Sequence, residues 1–269
     1  MTSRLAEKII FVAGGGGLEA GTIGRTSAET YARNGAAVFV ADINEEAAKA
    51  TVDAIVAAGG RAQYGVGDLS RQNDVKTLVE EATDHFGRID GLHNNIAVTR
   101  TGSPPELSID EWNESWNVNV TSVFLTAKFV LPLMERQGGG AIVNISSVAS
   151  SRYLGIPYHA YYATKAAVTQ FTRTLAVEYA TRGIRINSVS PGFILTPNTY
   201  AFREEHNAQD QVMSVTTKRP EQAPMRRMGS PADVANAALF LLSKEAAYIT
   251  GADIAVDGGL AATAVLHPS

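Results

Sequence analysis

Apolar and β-branched residues recur along the chain in short runs, and each run precedes a longer segment whose apolar residues repeat at helical spacing. Such runs, bounded by glycine or polar residues, are typical of buried strands. Because strand and helix alternate throughout, the pattern predicts a doubly wound α/β fold, a parallel sheet with helices on both faces. The predicted strands are Ile9–Ala13, Ala37–Ala41, Ala62–Val66, Gly91–Asn94, Ala141–Ile145, Arg185–Val189 and Asp253–Val256.

Local signals mark the helix boundaries. Ser108 and Glu111 have the spacing of a capping box, and Ser230 followed by Pro231 is typical of a helix start. Residues 198–228 are polar and irregular, and we expect them to form a substrate-binding lid. The predicted helices are Ile23–Asn34, Glu45–Ala58, Asp74–Phe86, Ser108–Arg136, Tyr158–Thr181 and Pro231–Leu242.

Composition narrows the class of protein. The 269 residues are 45% hydrophobic and 19% charged, which suits one globular domain covering residues 1–269. The formal net charge of -4 argues against a nucleic-acid partner. There is no run of eighteen apolar residues and no cysteine, so we expect no membrane span, disulfide or thiolate metal site. These features predict a soluble cytoplasmic protein.

Glycines crowd the turn between the first strand and the first helix, in the sequence AGGGGLEAGTIGR. Glycine lets the backbone approach a pyrophosphate closely, and the N-terminus of a helix offers free N–H groups and positive partial charge. A glycine cluster can also form only a tight turn. Its position in a strand–turn–helix unit favours a dinucleotide site of the Rossmann type.

Asp42 ends the second strand, where a carboxylate accepts hydrogen bonds from ribose hydroxyls and repels a 2′-phosphate. An aspartate there could also cap the next helix, although Asn44 is equally suited to that task. We therefore expect NAD to be preferred over NADP. Arg25 and Arg33 are the nearby basic residues that would oppose this preference.

A second group of chemical side chains lies in the sequence AIVNISSVASSRYLGIPYHAYYATK, residues 141–165. Tyr161 and Lys165 are four residues apart, so on a helix they share a face, one turn from each other. A free tyrosine titrates near pH 10, and a neighbouring positive charge lowers that pKa. The pair therefore suits proton transfer to and from a substrate.

Taken in order, these motifs resemble the short-chain dehydrogenase/reductase family. The motifs are Asn94-Asn95, Asn119, Ser147, Tyr161 with Lys165, and Pro191-Gly192. The resemblance extends over nearly the whole chain, from the glycine loop to TGADIAVDGG. It implies hydride transfer between NAD(H) and a secondary alcohol or ketone.

The resemblance also implies a role for individual residues. Tyr161 would donate and accept the proton, Lys165 would hold the nicotinamide ribose, and Ser147 would bind the substrate oxygen. Asn119 would anchor a water, and Thr196 would bind the nicotinamide carboxamide. The implied substrate-binding residues are Ser147, Tyr158, His159 and Tyr161. The implied cofactor-binding residues are Gly14, Gly17, Thr22, Ile23, Gly24, Asp42, Asp68, Leu69, Asn95, Ala97, Tyr161, Lys165, Pro191, Gly192, Ile194 and Thr196.

Members of the family usually form homotetramers, which here would use Ser108–Arg136, Tyr158–Thr181 and Asp253–Val256. Two features keep a second activity open. The glycine loop is four residues longer than the family's usual motif, and Tyr158 lies seven residues before Lys165, the spacing found in enoyl-acyl carrier protein reductases. The alternatives are enoyl or 3-oxoacyl reduction and, in another class, an NAD-binding sensor or scaffold without turnover. The sequence also leaves open whether Ser146 or Ser147 holds the substrate.

Overall fold

The computed structural model describes residues 3–197 and 222–263. Seven parallel strands in these residues form one sheet in the order β3-β2-β1-β4-β5-β6-β7. The order reverses direction beside β1, as in doubly wound folds, so the predicted fold class is confirmed. The strands are β1 Ile9–Ala13, β2 Ala37–Asp42, β3 Arg61–Val66, β4 Gly91–Asn94, β5 Gly140–Ile145, β6 Ile184–Pro191 and β7 Asp253–Val256.

Helices cover both faces because each buried strand is apolar on both sides. In β1, Ile10 and Val12 face a core under α1, α2 and α7, whereas Phe11 and Ala13 face a core under α3, α5 and α6. The predicted capping box is present at Ser108, and at the predicted helix start Ser230 forms a second capping box with Asp233. The helices are α1 Ile23–Arg33, α2 Glu45–Ala57, α3 Gln72–Phe86, α4 Ile109–Trp116, α5 Ser122–Arg136, α6 His159–Tyr179 and α7 Pro231–Leu242.

The single helix predicted over Ser108–Arg136 is wrong in one detail. A π-helical turn, Asn117–Thr121, separates α4 from α5. The helical stretch Ile109–Arg136 is apolar and long enough to cross a membrane, but half of its most apolar window is buried inside the protein. It is a core helix of this fold.

Beneath the carboxyl ends of the strands, a chain of buried polar side chains crosses the sheet. Thr126 Oγ1 donates to Asn94 Oδ1 at 2.9 Å, and Asn94 Nδ2 donates to Asn144 Oδ1 at 2.8 Å. Asn144 Nδ2 in turn donates to Thr172 Oγ1 at 2.9 Å. This chain ties α5 and α6 to β4 and β5. Of the predicted lid, residues 198–221 lie outside the described part of the chain.

Candidate active site

A cleft of about 1130 Å³ opens at the carboxyl ends of the strands. It lies where doubly wound folds bind their ligands. Four residues predicted for the site, Gly17, Gly24, Asn119 and His159, are absent from its lining. Predicted residues that do line it are Gly14, Thr22, Ile23, Asp42, Asp68, Leu69, Asn95, Ala97, Ser147, Tyr158, Tyr161, Lys165, Pro191, Gly192, Ile194 and Thr196.

The glycines of the first loop have different tasks. A Cβ at Gly24 would collide with the carbonyl oxygen of Gly14, so this glycine lets α1 pack against the loop. Gly17 is buried, and its N–H donates to the carbonyl of Ala47 at 3.1 Å. A Cβ at Gly16 would lie 2.7 Å from Asp42 Oδ2. Gly16, which the sequence did not single out, lines the cleft, whereas Gly17 and Gly24 support it from behind.

Asp42 occupies one end of the cleft and is held by backbone donors. Its Oδ2 accepts from Gly16 N at 2.9 Å, and its Oδ1 accepts from Asn44 N at 3.1 Å. A carboxylate has about four lone-pair sites, so it retains acceptor capacity for a ligand's hydroxyl groups. Asn44 caps α2 through Ala47 N, as its sequence position suggested.

Positive charge is scarce in this cleft. Among the described residues that line it, Lys165 is the only lysine or arginine. The Arg25 guanidinium instead binds Glu29 at 2.8 Å and the carbonyl of Gly17 at 2.9 Å. Arg33 also pairs with Glu29, at 3.6 Å.

Asp68 lines the cleft and also forms a local turn, since its Oδ1 accepts from both the N–H and the hydroxyl of Ser70. Asn95 holds the glycine loop, because its Nδ2 donates to Gly14 O at 3.0 Å. Ala97 follows it along the same wall. These contacts fix the loops that surround this part of the cleft.

Tyr161 and Lys165 lie one turn apart on α6, as predicted, with Lys165 Nζ 5.6 Å from the centre of the Tyr161 ring. The ammonium group is buried and donates to the carbonyl of Ile145 at 2.8 Å. Burial lowers the pKa of Lys165 to about 8. Burial raises the pKa of Tyr161, and a hydrogen bond with Ser147 partly opposes that rise. The pKa of Tyr161 is therefore raised and not lowered as the sequence suggested, because burial disfavours the charged phenolate.

The two adjacent serines are distinguished by their partners. Ser146 Oγ donates to the carbonyl of Lys165 at 3.0 Å and hydrogen-bonds Thr169 Oγ1 at 2.7 Å, which fixes α6 against β5. Ser147 Oγ accepts from Ala149 N at 3.1 Å and lies beside the Tyr161 phenol. Of the two serines, Ser147 is thus the one whose hydroxyl lies beside the Tyr161 phenol, and its contact with substrate stays a prediction.

The three tyrosines at the start of α6 also differ in position. The Tyr158 ring packs edge-on against Tyr161, with centroids 6.4 Å apart, and lines the cleft. The Tyr162 hydroxyl donates to Ile156 O at 2.9 Å and accepts from Leu154 N at 3.0 Å, which fixes the preceding loop. His159 is exposed, because consecutive helical residues point about 100° apart. The predicted contact of His159 with substrate has no counterpart in the lining.

Asn119 is fully buried in the π-helical turn. Its Oδ1 accepts from Val98 N at 2.7 Å, while its Nδ2 donates to Val98 O at 2.9 Å and to Thr164 Oγ1 at 3.1 Å. Its amide group therefore clamps the segment after Ala97 to α6. The water-anchoring role implied for Asn119 stays a prediction.

Some lining residues were missed by the sequence reasoning. Asp110, Asn113 and Asn117 line the cleft from the α4 side, and their spacing of three and four residues could have revealed this polar face. Leu154 and Phe193 also line it, from irregular segments in which no periodicity gives a signal.

Comparison with known proteins assigns the chain to a family. A family model described as enoyl-(acyl carrier protein) reductase matches residues 16–261. A crystal structure of a short-chain dehydrogenase/reductase from Burkholderia xenovorans superposes with a TM-score of 0.92 at 39% identity, covering 97% of this chain and 99% of that one. The chain belongs to the short-chain dehydrogenase/reductase family. The resemblance found in the sequence is confirmed.

Two further members of this family have a named activity. The 2,5-dichloro-2,5-cyclohexadiene-1,4-diol dehydrogenase LinX of Sphingobium indicum is 38% identical over 259 residues, 96% of this chain and 98% of that protein. A 7α-hydroxysteroid dehydrogenase, solved with NADH and 7-oxo glycochenodeoxycholic acid, is 34% identical with a TM-score of 0.86, covering 96% of both chains. Both are alcohol dehydrogenases, so this protein is an oxidoreductase acting on CH–OH groups with a nicotinamide cofactor. Enoyl reduction and a non-catalytic role are not favoured.

The residues present fit a nicotinamide dinucleotide. The N-terminus of α1 meets the cleft at Thr22 and Ile23, and helix N-termini bind phosphate groups. Gly16 leaves room that a Cβ would fill, and the cleft volume exceeds what a drug-sized ligand requires.

Proposed function

We propose that the protein is an NAD-dependent dehydrogenase of cyclic secondary alcohols, with Tyr161 as the acid–base residue. The observation that carries the proposal is the arrangement of Ser147, Tyr161 and Lys165 on one wall of a cleft that has Asp42 at its other end. Seven-residue spacing from Tyr158 to Lys165 would be expected of the alternative activity, but the Ser147 hydroxyl lies beside Tyr161.

A nicotinamide dinucleotide bound in the cleft would supply the acceptor for the hydride of the alcohol carbon. Ser147 holds the substrate oxygen, and Tyr161 Oη takes the hydroxyl proton as the carbon–oxygen double bond forms. Since the pKa of Tyr161 is raised in the ligand-free protein, a cation must stabilise the phenolate during oxidation. Lys165 is the closest candidate, and its pKa of about 8 keeps it charged at neutral pH.

Lining residues near Ser147 support a ring-shaped substrate. Val98, Leu154 and Phe193 contribute apolar surface, and Tyr158 adds an aromatic ring beside Tyr161. Apolar walls with a few polar groups suit a mid-sized cyclic alcohol. The ring alcohols named for LinX and the hydroxysteroid dehydrogenase are consistent with this class.

The test of this proposal is oxidation of matched cyclic and linear secondary alcohols with NAD, followed by NADH absorbance. We expect higher kcat/KM for the cyclic compounds. Tyr161→Phe should lower kcat by at least about a hundredfold, because it removes the acid–base group, while NADH fluorescence titration still reports binding. Tyr158→Phe is the matched control. The proposed role of Tyr161 is wrong if Tyr158→Phe is the variant that loses turnover.

We also propose that Asp42 selects NAD over NADP. Asp42→Ala should raise the Kd of NADH by about tenfold and relax the preference, because it removes a charge-assisted acceptor and the repulsion of a 2′-phosphate. Fluorescence titration with NADH and NADPH measures both effects, and Asp53→Ala, at an exposed carboxylate of α2 that pairs with Lys49, serves as the control. Unchanged selectivity in Asp42→Ala would exclude this role.

A homotetramer in the cytoplasm is our proposal for the assembly and its location. Phe124 on α5 and Val177 on α6 are 48% and 79% exposed, which leaves large apolar side chains on the outer faces of the two helices. The Phe124 ring packs edge-on against Phe171 at 6.5 Å. The sheet also ends at β7, whose outer edge is available for contact with another copy.

A further inference from the structure

The glycine loop has an extended portion, Gly17–Gly21, which is held by one side chain. Arg25 Nη1 donates to the carbonyls of Gly17 at 2.9 Å and Leu18 at 3.2 Å. Its Nε donates to Glu29 Oε1 at 2.8 Å, one turn further along α1. Only 15% of the Arg25 side chain is exposed, so the guanidinium is enclosed between α1 and the loop.

Other contacts place this extended loop at the mouth of the cleft. Gly16 and Thr22, the residues on either side of it, both line the cleft. Gly21 adopts a φ of 98°, and a Cβ there would lie 3.7 Å from Pro197, next to the cleft residue Thr196. The loop therefore bridges the N-terminus of α1 and the segment that follows β6.

We propose that Arg25 is a positioning residue: by holding Gly17–Gly21, it fixes the flanking cleft residues Gly16 and Thr22 in the conformation that receives the diphosphate of the cofactor. Ordering a free loop costs conformational entropy, and binding must supply that free energy if the loop is not already ordered. Arg25 orders the loop in the ligand-free protein by binding two of its carbonyls. The inference rests on the proposed use of a dinucleotide, but it does not depend on the substrate.

The competing role for Arg25 is direct recognition of a 2′-phosphate. Such a role needs a guanidinium that is open to the cleft, whereas Arg25 is bound to Glu29 and two carbonyls and is not among the cleft-lining residues. The two roles predict different results. A positioning residue affects NADH and NADPH alike, and a phosphate-binding residue affects NADPH alone.

The experiment compares Arg25→Ala, Arg25→Lys and Arg33→Ala with the unaltered full chain. Arg33 is the matched control, because it pairs with Glu29 from the next turn of α1 and binds no loop carbonyl in the described structure. Hydrogen–deuterium exchange of the ligand-free proteins reports the order of residues 14–22. Fluorescence titration gives the Kd of NADH and of NADPH.

We expect Arg25→Ala to speed exchange in this loop and to raise both Kd values by about tenfold, with kcat at saturating cofactor little changed. Arg25→Lys should lie between, because an ammonium group cannot reproduce the planar fork of the guanidinium. Arg33→Ala should leave exchange and both Kd values unaltered. Unchanged exchange in Arg25→Ala, or loss of NADPH binding alone, overturns the proposal. If the unaltered protein binds neither dinucleotide, the proposed function is wrong. The exchange experiment would then still report whether Arg25 orders the loop.

Discussion

Lys165 is a buried cation at the centre of the site, and only 2% of it is exposed. Among the described residues, its ammonium group donates one hydrogen bond, to the carbonyl at the end of β5. Removing such a charge from water costs free energy that one neutral acceptor does not restore. Burying Lys165 therefore lowers the free energy of unfolding. The role that we propose for Lys165 beside Tyr161 gives a reason for keeping a cation there.

Replacing Lys165 should separate stability from activity. The pKa of Lys165 is lower in the folded chain, about 8, than in the unfolded chain, so the unfolded chain binds the extra proton between these values. The stability cost is complete below pH 8 and disappears as the pH rises toward 10.5. Lys165→Met should raise the free energy of unfolding at pH 7 by about 1–3 kcal/mol and abolish turnover. Urea denaturation at pH 7 and pH 10 measures this.

Lys128→Met is the control for that experiment, since Lys128 is exposed on α5 and hydrogen-bonds Gln72. It should change the unfolding free energy by no more than about 0.5 kcal/mol at either pH. A Lys165→Met protein that is less stable than the unaltered chain at pH 7 would show that packing, and not desolvation, governs this position.

Among the elements, the π-helical turn Asn117–Thr121 does the most to shape the site. It brings Asn119 inward, where the amide group pairs with both backbone groups of Val98. π-Helical turns are found inside long helices and frequently at functional sites. This one lets α4 present its polar face to the cleft while α5 buries its apolar face in the core.

Asn119→Ala should destabilise the protein by about 2–3 kcal/mol, because it removes two hydrogen bonds to the backbone of Val98 and one to the buried Thr164 hydroxyl. It should also lower activity, since Val98 and Ala97 line the cleft. Thr164→Val is the control, as it removes one of the three hydrogen bonds of Asn119 and keeps the clamp on Val98. Equal stability of the two variants, measured by urea denaturation, would contradict this account.

The strands and helices were predictable because their signals are local. Apolar runs located every strand, and the capping boxes at Ser108 and Ser230 located two helix starts within a residue. The π-helical turn was not predictable, since its residues suit an α-helix equally well. What stabilises the turn is the pair of hydrogen bonds from Asn119 to Val98, which is distant in sequence. The separate tasks of Gly16 and Gly24 were hidden for the same reason, because each depends on a contact across the loop.

The pairing of Tyr161 with Lys165 on one helical face followed from their spacing, whereas the direction of the tyrosine pKa did not. The sequence shows that the Tyr161 phenol and the Lys165 ammonium group are close. It does not show how far the fold excludes water from them. Tertiary packing also gives different hydrogen-bond partners to Ser146 and Ser147, which are identical in type and adjacent along the chain. Their partners come from α6, and no local pattern reports that.

At the scale of the whole molecule, the site and the proposed assembly faces are different surfaces. The cleft occupies the carboxyl ends of the strands, while Phe124 and Val177 lie on the outer sides of α5 and α6. On the inner side, α6 carries Tyr161 and Lys165, and the π-helical turn before α5 carries the clamp on Val98. Assembly through the outer sides of α5 and α6 would therefore stabilise the helices that position the site.

Charges at those outer positions should disperse a homotetramer. Phe124→Glu combined with Val177→Glu places carboxylates on an apolar contact, and we expect sedimentation velocity to show a smaller species. Circular dichroism should show that the fold is retained. Val56→Glu is the control, because Val56 is 53% exposed on α2, on the other face of the sheet. An unaltered tetramer in the double variant, or a monomeric parent protein, would exclude this interface.

The buried chain that joins Thr126, Asn94, Asn144 and Thr172 has a single direction. Every link donates toward α6, and the last hydroxyl donates to Val168 O at 2.8 Å. Turning over one amide would set two donors or two acceptors face to face, so the amides can reverse only together. Aspartate has the same shape as asparagine but no amide donor, and it would break the sequence of links at either position. The buried chain beneath the carboxyl ends of the strands therefore has one orientation, and a change at either asparagine would be felt by both α5 and α6.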